Sequence, residues 1–395
     1  MCFKEITCLI RSFGDIMIIR SEDLKMLCTK ILFAVDSNEL SILTETLELE
    51  TQGTYLLVSV TNKEYFVQVK LNLDETVNLH ATVNANLFLK LIAQITTDTI
   101  ELKTSSTSLI VIGNGTYNLP LIYENDKLLK LPNIVINNPT CEFSVSSEIL
   151  NSIMLYNSRE LLKGALSKPV QKMYYVDEHG AITFTSSGAC VNGFTLEKPV
   201  KFLLPQRVVK LFKLFKDCDV RFTLGYDAVT QEIIQTKVQF ETPDVRITSI
   251  VTVEDINTLI RSVPVNAIRG RADQMYRYSV TMNKEGLLQT INRLMLFNTV
   301  SNGKANIKPY SIFEFGSESV TIYDTNKINK EQVDYTNTSS GVPVGDVCSI
   351  CLDLQDIKTT LESCSESYVT LSFEEESEAI VISRGLVRNV LSVVS

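Results

Sequence analysis

The chain has 395 residues, of which 45% are apolar, and its 37 basic and 46 acidic side chains give a net charge of −9. At about 150 residues per domain, this length predicts two or three domains rather than one. The composition excludes disordered, collagenous and low-complexity proteins, and the excess of acid excludes a surface that is basic on all sides.

The first sixteen residues do not have the pattern of a signal peptide. Lys4, Glu5, Arg11 and Asp15 interrupt the apolar region that such a peptide requires. No stretch anywhere in the chain approaches 18 uninterrupted apolar residues. We therefore expect no membrane partner and no secretion by this route, and we treat residues 1–16 as an N-terminal extension.

One pattern then begins three times along the chain: a short apolar strand leads into a polar helix start that contains a glutamate. The three glutamates are Glu22, Glu148 and Glu285, which stand 126 and 137 residues apart. A repeat of this length indicates duplicated domains rather than a solenoid. It predicts three tandem domains, which comprise residues 17–131, 140–262 and 275–395.

Each domain also repeats its own order of elements. In the first domain, alternating or β-branched runs at 40–49, 55–60 and 65–71 predict strands of a half-buried antiparallel sheet. A second helix is expected to begin near Asn84, Pro205 and Asp353. Strands resume at 99–103 and 108–113, at 219–225 and 237–240, and at 368–373 and 379–383. The sequence therefore predicts an α+β protein in which each domain packs two helices on antiparallel sheets.

The predicted helices are apolar on one side, as packing against a sheet requires. The apolar positions are Leu24, Leu27, Cys28 and Ile31 in one helix, Phe88, Leu91, Ile92 and Ile95 in another, and Leu287, Leu288, Ile291, Leu294 and Met295 in a third. We expect Ser21 and Ser147 to be N-caps. Hairpin turns are predicted at Asn114-Gly115 and Asn302-Gly303, and linkers at 131–140 and 266–274.

The helix predicted over 205–217 carries a basic face opposite its apolar one. Lys210, Lys213 and Lys216 lie on one side of a helical wheel and Val208, Leu211, Phe212 and Phe215 on the other. This pattern has two interpretations, a solvated lysine face or a surface that contacts phosphate. Further basic side chains on or just after other predicted helices are Lys25, Lys30, Lys90, Arg159, Lys163 and Arg293. The helix from Asp353, in contrast, is mainly acidic.

The sequence contains little that suggests catalysis. His80 and His179 have no plausible nucleophile or metal partner nearby, and no phosphate-binding glycine motif is present. Cys348 and Cys351 form a lone C-x-x-C in a run that reads as a strand, where residues three apart point to opposite faces. Nine scattered cysteines favour a reducing cytoplasm over a disulfide framework. We expect no enzyme activity, no cofactor and no metal.

The threefold order resembles the bacterial-type β sliding clamp, the processivity factor of replicative DNA polymerases. Leu203 to Leu211 is similar to the family's entry into the second helix of its middle domain. Phe184 to Val191 is similar to a strand and turn of that domain, and 350–395 has the family's closing order of elements. The departures from the family's motifs, at Ser186 to Val191 and in the last five residues, suggest a divergent clamp encoded by a phage.

The resemblance implies a head-to-tail homodimer that forms a ring around double-stranded DNA without sequence preference. It implies that the ring binds a DNA polymerase and a clamp loader. The expected location is the cytoplasm or, for a phage protein, the host cytoplasm. The resemblance implies that Arg207 faces DNA. It also implies a peptide groove formed by Tyr175, Ser186, Gly188, Ala189, Val191, Pro264, Val390, Leu391, Val393 and Val394. The subunit interface is expected to join Tyr117 and Leu119 to Leu296 and Phe297.

Two other functional classes remain as alternatives. A structural, virion-type β protein would assemble into large particles and ignore DNA. A metal-dependent DNA-processing enzyme would use the acidic run that starts at Glu374 to bind its cation, although a solvated hairpin loop explains that run more simply.

Overall fold

The computed structural model describes residues 16–35, 41–157, 168–185, 188–228, 233–254, 256–261, 263–298, 310–324, 326–340, 348–375 and 378–393. These residues group into two compact units. Unit 1 takes its members from Met1–Glu142, Asp219–Tyr226 and Lys237–Ile250, and unit 2 from Phe143–Cys218, Asp227–Thr236 and Val251–Ser395. The three predicted domain boundaries stay a prediction, because this grouping does not test them.

Strands and helices follow one another in a recurring order, which starts with a strand and a helix. The first series is β1 (Met17–Arg20), α1 (Ser21–Leu32), β2 (Thr46–Gln52), β3 (Tyr55–Thr61), β4 (Tyr65–Asn72), β5 (His80–Asn84), α2 (Ala85–Gln94), β6 (Thr99–Thr104), β7 (Ser108–Ile112), β8 (Thr116–Pro120), β9 (Tyr123–Glu124) and β10 (Lys127–Leu128).

The second series has the same order with a shorter second helix. It is β11 (Pro139–Ser146), α3 (Ser147–Tyr156), a 3-10 helix (Pro169–Lys172), β12 (Tyr174–Asp177), β13 (Gly180–Phe184), β14 (Gly188–Gly193), β15 (Lys201–Leu204), α4 (Gln206–Val209), a 3-10 helix (Lys210–Leu214), β16 (Asp219–Ala228), β17 (Ile233–Glu241) and β18 (Val245–Glu254).

Two helices precede the third series. The elements are α5 (Ile256–Arg261), α6 (Val265–Asp273), β19 (Tyr278–Asn283), α7 (Lys284–Asn298), β20 (Tyr310–Phe315), β21 (Ser319–Asp324), β22 (Lys330–Ser340), β23 (Cys348–Asp353), α8 (Leu354–Glu362), β24 (Tyr368–Phe373), β25 (Ala379–Arg384) and β26 (Val387–Ser392).

Unit 1 contains a sheet of strand order β1-β6-β7-β8 and a longer sheet of order β11-β16-β17-β18-β4-β3-β2-β5, to which β11 and β16 to β18 contribute their unit 1 residues. Neighbouring strands within these sheets pair antiparallel. For example, β4 pairs with β18, where Val69 lies opposite Val245. Helices α1 and α2 contact each other. Their apolar sides, including Leu24, Ile31 and Phe88, are buried.

Unit 2 contains one long sheet of order β15-β12-β13-β14-β26-β25-β24-β19-β22-β21-β20-β23. A core of aromatic side chains forms in its last part, where the ring centroids of Phe315 and Phe373 lie 4.0 Å apart. Helices α7 and α8 contact each other and bury Leu287, Ile291 and Ile357 in this core. The predicted α+β class and the one-sided helices are therefore confirmed.

One backbone hydrogen bond recurs at the start of each series. The first residue of α1, α3 and α7 donates its N–H to the residue just before the strand that follows the second helix. The bonds join Ser21 to Asp98, Ser147 to Cys218 and Lys284 to Ser367, each with an N–O distance of 2.9 Å. The three glutamates of the sequence pattern each occupy the second position of the helix. The repeat therefore extends to single hydrogen bonds.

Several local predictions are correct and others are wrong. The second helices begin directly after Asn84, Pro205 and Asp353, as expected. Ser21 and Ser147 are not N-caps but first helical residues, because Arg20 and Ser146 take the cap positions. The strand predicted at 40–49 begins only at Thr46. The turn at Asn302-Gly303 lies outside the described residues.

Two predicted segments differ in conformation from what the sequence suggested. The helix expected over 205–217 ends at Leu214, and its second half is a 3-10 helix. The arginine-rich linker expected at 266–274 is mostly helical, since α6 spans Val265–Asp273. Apolar periodicity did not predict this helix, because its buried contacts include an ion pair as well as apolar packing.

Candidate nucleic-acid and partner interfaces

The basic face of the second helix in the middle series is present in the structure. Val208, Leu211 and Phe212 are buried, whereas Arg207 and Lys210 are exposed and Lys213 is half-buried. Partial burial and, second, the nearby charge of Lys210 lower the pKa of Lys213. A like charge nearby disfavours the charged form of a lysine, so the second part of this shift follows from the closeness of the two lysines.

The other predicted basic residues differ in how much charge they offer. Lys90 is exposed on α2 and Lys25 is half-buried on α1. Lys30 forms an ion pair with Asp244 in unit 1. Arg293 binds the carboxylate of Glu331, with Nε 2.8 Å from Oε1 and Nη2 2.5 Å from Oε2. Arg159 and Lys163 lie outside the described residues.

Lys30, which was predicted to contact DNA, instead forms an ion pair within unit 1. Burial alone would raise the pKa of Asp244, but hydrogen bonds from Lys30 and Thr242 outweigh it, so the pKa lies below its ordinary value. A lysine whose charge is matched by a neighbouring carboxylate attracts phosphate less than an unmatched one. Of the residues predicted to bind DNA, the exposed Lys90 and Lys210, which form no ion pair among the described residues, are therefore the stronger candidates.

The residues predicted to form a peptide groove come together mainly on two adjacent strands. β14 pairs with β26, and this register places Gly188 opposite Leu391 and Ala189 opposite Val390. Neighbouring positions on a strand point to opposite faces of the sheet. Val390 accordingly packs in one apolar cluster and Leu391 in another. The predicted set therefore does not form one continuous surface.

Most of these groove residues are buried rather than exposed. Ala189, Val191, Val390 and Leu391 are each less than 9% exposed, and Tyr175 is 1% exposed. Pro264, at the start of α6, is exposed, and Val393 and Gly188 are half-buried. Ser186 and Val394 lie outside the described residues. Of the predicted set, Pro264 and Val393 are the side chains most available to a partner.

Gly188 has a structural reason to be glycine. A Cβ atom at this position would lie 1.9 Å from the carbonyl oxygen of Val390 on the paired strand. Such a contact is far inside van der Waals distance, so any larger residue would push β14 away from β26. The small residue that suggested a groove is required by strand pairing.

A bidentate ion pair that the sequence did not reveal fixes α6 to the sheet of unit 2. Both terminal nitrogens of Arg269 lie 2.5 Å from the carboxylate of Asp177, which also accepts a hydrogen bond of 2.9 Å from the hydroxyl of Tyr175. Burial raises the pKa of Tyr175, and the charge of Asp177 adds to the effect. The two arginines of the predicted linker, Arg269 and Arg271, were the available signal, but their segment was expected to be a linker.

The predicted subunit interface contains three exposed apolar side chains. Tyr117 is 38% exposed on β8, an edge strand of its sheet in unit 1. Leu296 and Phe297, near the end of α7, are 65% and 51% exposed. Leu119 is only 2% exposed and lies opposite Leu109. Its side chain is therefore unavailable to a second subunit, and the predicted interface reduces to the other three residues and the edge of β8.

Comparison with solved structures identifies the fold. DNA polymerase III subunit beta of Pseudomonas aeruginosa superposes with a TM-score of 0.76 at 14% identity, over 96% of this chain and all of that one. The DNA polymerase sliding clamp of Bacillus subtilis gives 0.73 at 14% identity over 97% and 99%. The beta subunit from Streptococcus pyogenes gives 0.73 at 13% identity over 96% and 100%.

The chain has the sliding-clamp fold. The likeness covers nearly the whole chain, so it includes all three series of elements rather than one domain. No protein-family model matches the sequence, and no curated protein matches it. The resemblance that the sequence suggested is therefore confirmed through the arrangement of its elements, while the side chains have diverged.

The residues that the sequence analysis considered for catalysis or metal binding make contacts within the fold. His80 Nε2 lies 2.8 Å from the buried carboxylate of Glu48. Cys348 is buried on β23, which confirms that its C-x-x-C run is a strand. Glu375 accepts a hydrogen bond of 2.5 Å from the hydroxyl of Tyr278. Among the described residues, no group of three or more potential ligands could hold a metal ion, and no helix is long and apolar enough to cross a membrane.

Proposed function

We propose that this protein is a DNA sliding clamp: two copies close head to tail into a ring around duplex DNA and tether a replicative polymerase as its processivity factor. The observation that carries the proposal is the fold, which matches sliding clamps over 96% to 97% of this chain and 99% to 100% of theirs. A ring of this kind holds DNA by topology, so a net charge of −9 is compatible with its task.

Contact with DNA in this proposal is electrostatic and independent of sequence. Arg207, Lys210 and Lys213 lie together on one short helical segment, and Lys90 is exposed on the second helix of the first series. Flexible cations of this kind bind phosphate oxygens and do not distinguish bases. Loose contact of this type lets a closed ring slide.

Ring closure would use an edge strand and an apolar helix end. Among the described residues β8 is an edge strand, with no further strand in its sheet beyond it, and Tyr117 lies on it. Leu296 and Phe297 expose more than half of their side chains at the end of α7. Burying exposed aromatic and aliphatic groups against a second copy stabilises a dimer. The interface is heterologous, since each subunit contributes a different surface at each of two contacts.

The polymerase and the clamp loader would dock through short peptides near Pro264 and Val393. Pro264 is exposed and Val393 is half-buried, and peptides of this kind bury leucine or phenylalanine anchors against such apolar side chains. Protein partners of this type use the clamp as a platform, and the clamp itself needs no catalytic group, cofactor or metal. The site of action is the cytoplasm, or the host cytoplasm for a phage protein.

Retention on circular DNA tests the proposal. The protein is incubated with nicked circular plasmid, with a clamp loader or at high protein concentration, and separated on a gel-filtration column in 0.5 M salt. We expect bound protein on circles and release when a restriction enzyme linearises them. Equal retention on circles and linear DNA, or retention on neither, would contradict a topological clamp.

An interface variant and a surface control test ring closure. Leu296→Asp with Phe297→Asp places two charges in the proposed interface and should give a monomer by light scattering that does not stay on circles. Leu386→Asp, which changes a leucine 67% exposed in the turn between β25 and β26, is the control and should remain dimeric. A dimer that survives the double change would refute the interface.

A further inference from the structure

A buried arginine in unit 2 has no counter-charge among the described residues. Arg384, the last residue of β25, is 3% exposed, and its Nε, Nη1 and Nη2 atoms all lack a hydrogen-bond partner. Burial of a charged group without a partner is strongly unfavourable, so such a residue normally binds a carboxylate or another anion. This observation is independent of the proposed function.

Other unpaired polar atoms lie on the same side of the sheet. β25 pairs with β26 so that Ile382 lies opposite Asn389 and Arg384 opposite Val387. Alternation along the strand therefore places Arg384 on the face that carries Asn389. Asn389 is 3% exposed, and its Nδ2 atom also lacks a partner.

The end of α3 closes this side of the sheet. Cys190, which lies opposite Asn389, donates its thiol to the carbonyl of Tyr156, 3.3 Å away. The guanidinium carbon of Arg384 lies 5.0 Å from the centre of the Tyr156 ring. The next residue, Asn157, is fully buried and donates its Nδ2 to the Cys190 carbonyl at 3.3 Å. Arg384 and Asn389 thus face the last turn of α3.

The surroundings of Arg384 offset only part of its charge. The face of the Tyr156 ring attracts a cation, and the C-terminal end of a helix carries partial negative charge. Neither supplies enough hydrogen-bond acceptors for the guanidinium. Among the described residues, Asn157 Oδ1 and the Thr185 hydroxyl are unpaired on this side, neither with a negative charge, against four unpaired donor nitrogens on Arg384 and Asn389. This excess of donors is the environment that binds an anion.

The burial of these atoms restricts which anions can reach them. Each of these unpaired atoms exposes less than 1 Å² to solvent. A nucleic-acid phosphate or a peptide carboxylate of a partner could not reach them without opening the unit. We propose that Arg384, Asn389 and the end of α3 form a binding site for one small inorganic anion, of halide size, that is enclosed when the protein folds.

Thermal unfolding at constant ionic strength tests for this anion. The full-length protein is transferred to gluconate, whose anion is too large for the site, and its Tm is compared with that in chloride or bromide at the same pH. A ligand that binds only the folded state should raise the Tm by roughly 5 °C at about a hundredfold excess over its Kd. Constant ionic strength keeps general screening equal in all arms.

Two variants assign any effect to the site. Arg384→Met keeps the length of the side chain and removes the charge, so its Tm should be the same in gluconate, chloride and bromide. Arg388→Met is the matched control, since Arg388 lies on the opposite face of β26, 3.7 Å from Asp273, and should keep the wild-type response. Bromide-soaked crystals of the wild type should show an anomalous peak beside the guanidinium of Arg384.

Three outcomes would overturn the proposal. A wild-type Tm that does not respond to halide would mean that the charge is matched within the chain. A response that Arg384→Met retains would place the ion elsewhere. Stabilisation by phosphate or sulfate through Arg384, without any by chloride, would show that the site takes a larger anion than its enclosure allows.

Discussion

The second helices of the middle and last series occupy the same place in the repeat but carry opposite charge. Each follows a strand directly, after Pro205 in one and Asp353 in the other, and each buries its apolar side. The outer side of the first carries Arg207 and Lys210, whereas that of the second carries Asp356 and Glu362. The fold therefore dictates the buried side of a helix and leaves the outer side free to differ.

Truncating the buried side should have the largest effect, and it should be equal in the two helices. Phe212 and Ile357 are both fully buried. Phe212→Ala and Ile357→Ala each leave a cavity and should lower the free energy of unfolding by about 2–5 kcal/mol. Urea denaturation measures the loss, and Lys210→Ala serves as the surface control. A loss confined to one helix would show that the two are not equivalent in the fold.

Reversing charge on the outer side should affect DNA and leave stability nearly unchanged. Lys210→Glu with Lys213→Glu replaces two cations on the middle helix and should weaken binding to duplex DNA by more than tenfold in low salt, because two phosphate contacts become repulsive. Fluorescence anisotropy with labelled duplex measures the affinity, and the Tm reports on folding.

Two control variants sharpen this comparison. Lys127→Glu with Lys130→Glu makes the same change in net charge on the exposed β9–β10 hairpin and its end, so it should alter DNA binding little. Glu362→Lys adds a cation to the acidic helix and should strengthen binding slightly. Equal weakening by both double reversals would show that only the total charge matters and would refute a basic face.

Cations that already have an acidic partner should contribute less than those that do not. Lys90→Met removes an exposed cation and should lower the slope of log Kd against log salt by roughly 0.9 per lost contact. Arg293→Met with Glu331→Gln removes a matched pair and should leave that slope unchanged. The salt dependence of binding to linear duplex measures both. A larger change from the pair than from Lys90 would reverse our ranking of these residues.

The smallest expected effect concerns pH and the pair of Lys30 with Asp244. The pKa of Asp244 is lowered in the folded state, so the pair stabilises the protein above the ordinary aspartate pKa of about 3.9 and the contribution is lost as the pH falls through the folded value. Asp244 is 49% exposed, which limits this contribution to less than about 1 kcal/mol.

Lys30→Met should therefore cost stability at pH 7 and progressively less below pH of about 4. Urea denaturation across this range measures the difference from the wild type, with Lys25→Met as the control on the same helix. A difference that does not change with pH would assign the cost to lost packing of the lysine side chain.

Much of the fold could be predicted because the repeat constrains the sequence strongly. Glu22, Glu148 and Glu285 occupy equivalent helical positions, and the apolar periodicity of α1, α2 and α7 matches their buried sides. Hairpin turns such as Asn114-Gly115 were likewise visible, since β7 ends at Ile112 and β8 begins at Thr116. These features depend on local pattern, which a single sequence contains.

The candidate sites were harder to predict because they depend on contacts between distant residues. Nothing in the sequence around Lys30 indicates that Asp244 lies beside it, or that Arg269 binds Asp177. The groove residues on β14 and β26 were expected to be exposed, but pairing of the two strands buries most of them. Leu119 was expected at the interface, but it lies opposite Leu109 and is 2% exposed, whereas Tyr117, on the same face of β8, is 38% exposed.

The most direct test of the clamp is an image of the assembled particle. Negative-stain electron microscopy of the purified protein should show a closed annulus made of two subunits, with a central hole wide enough for duplex DNA. Particles that lack a hole, or open chains of indefinite length, would contradict the account.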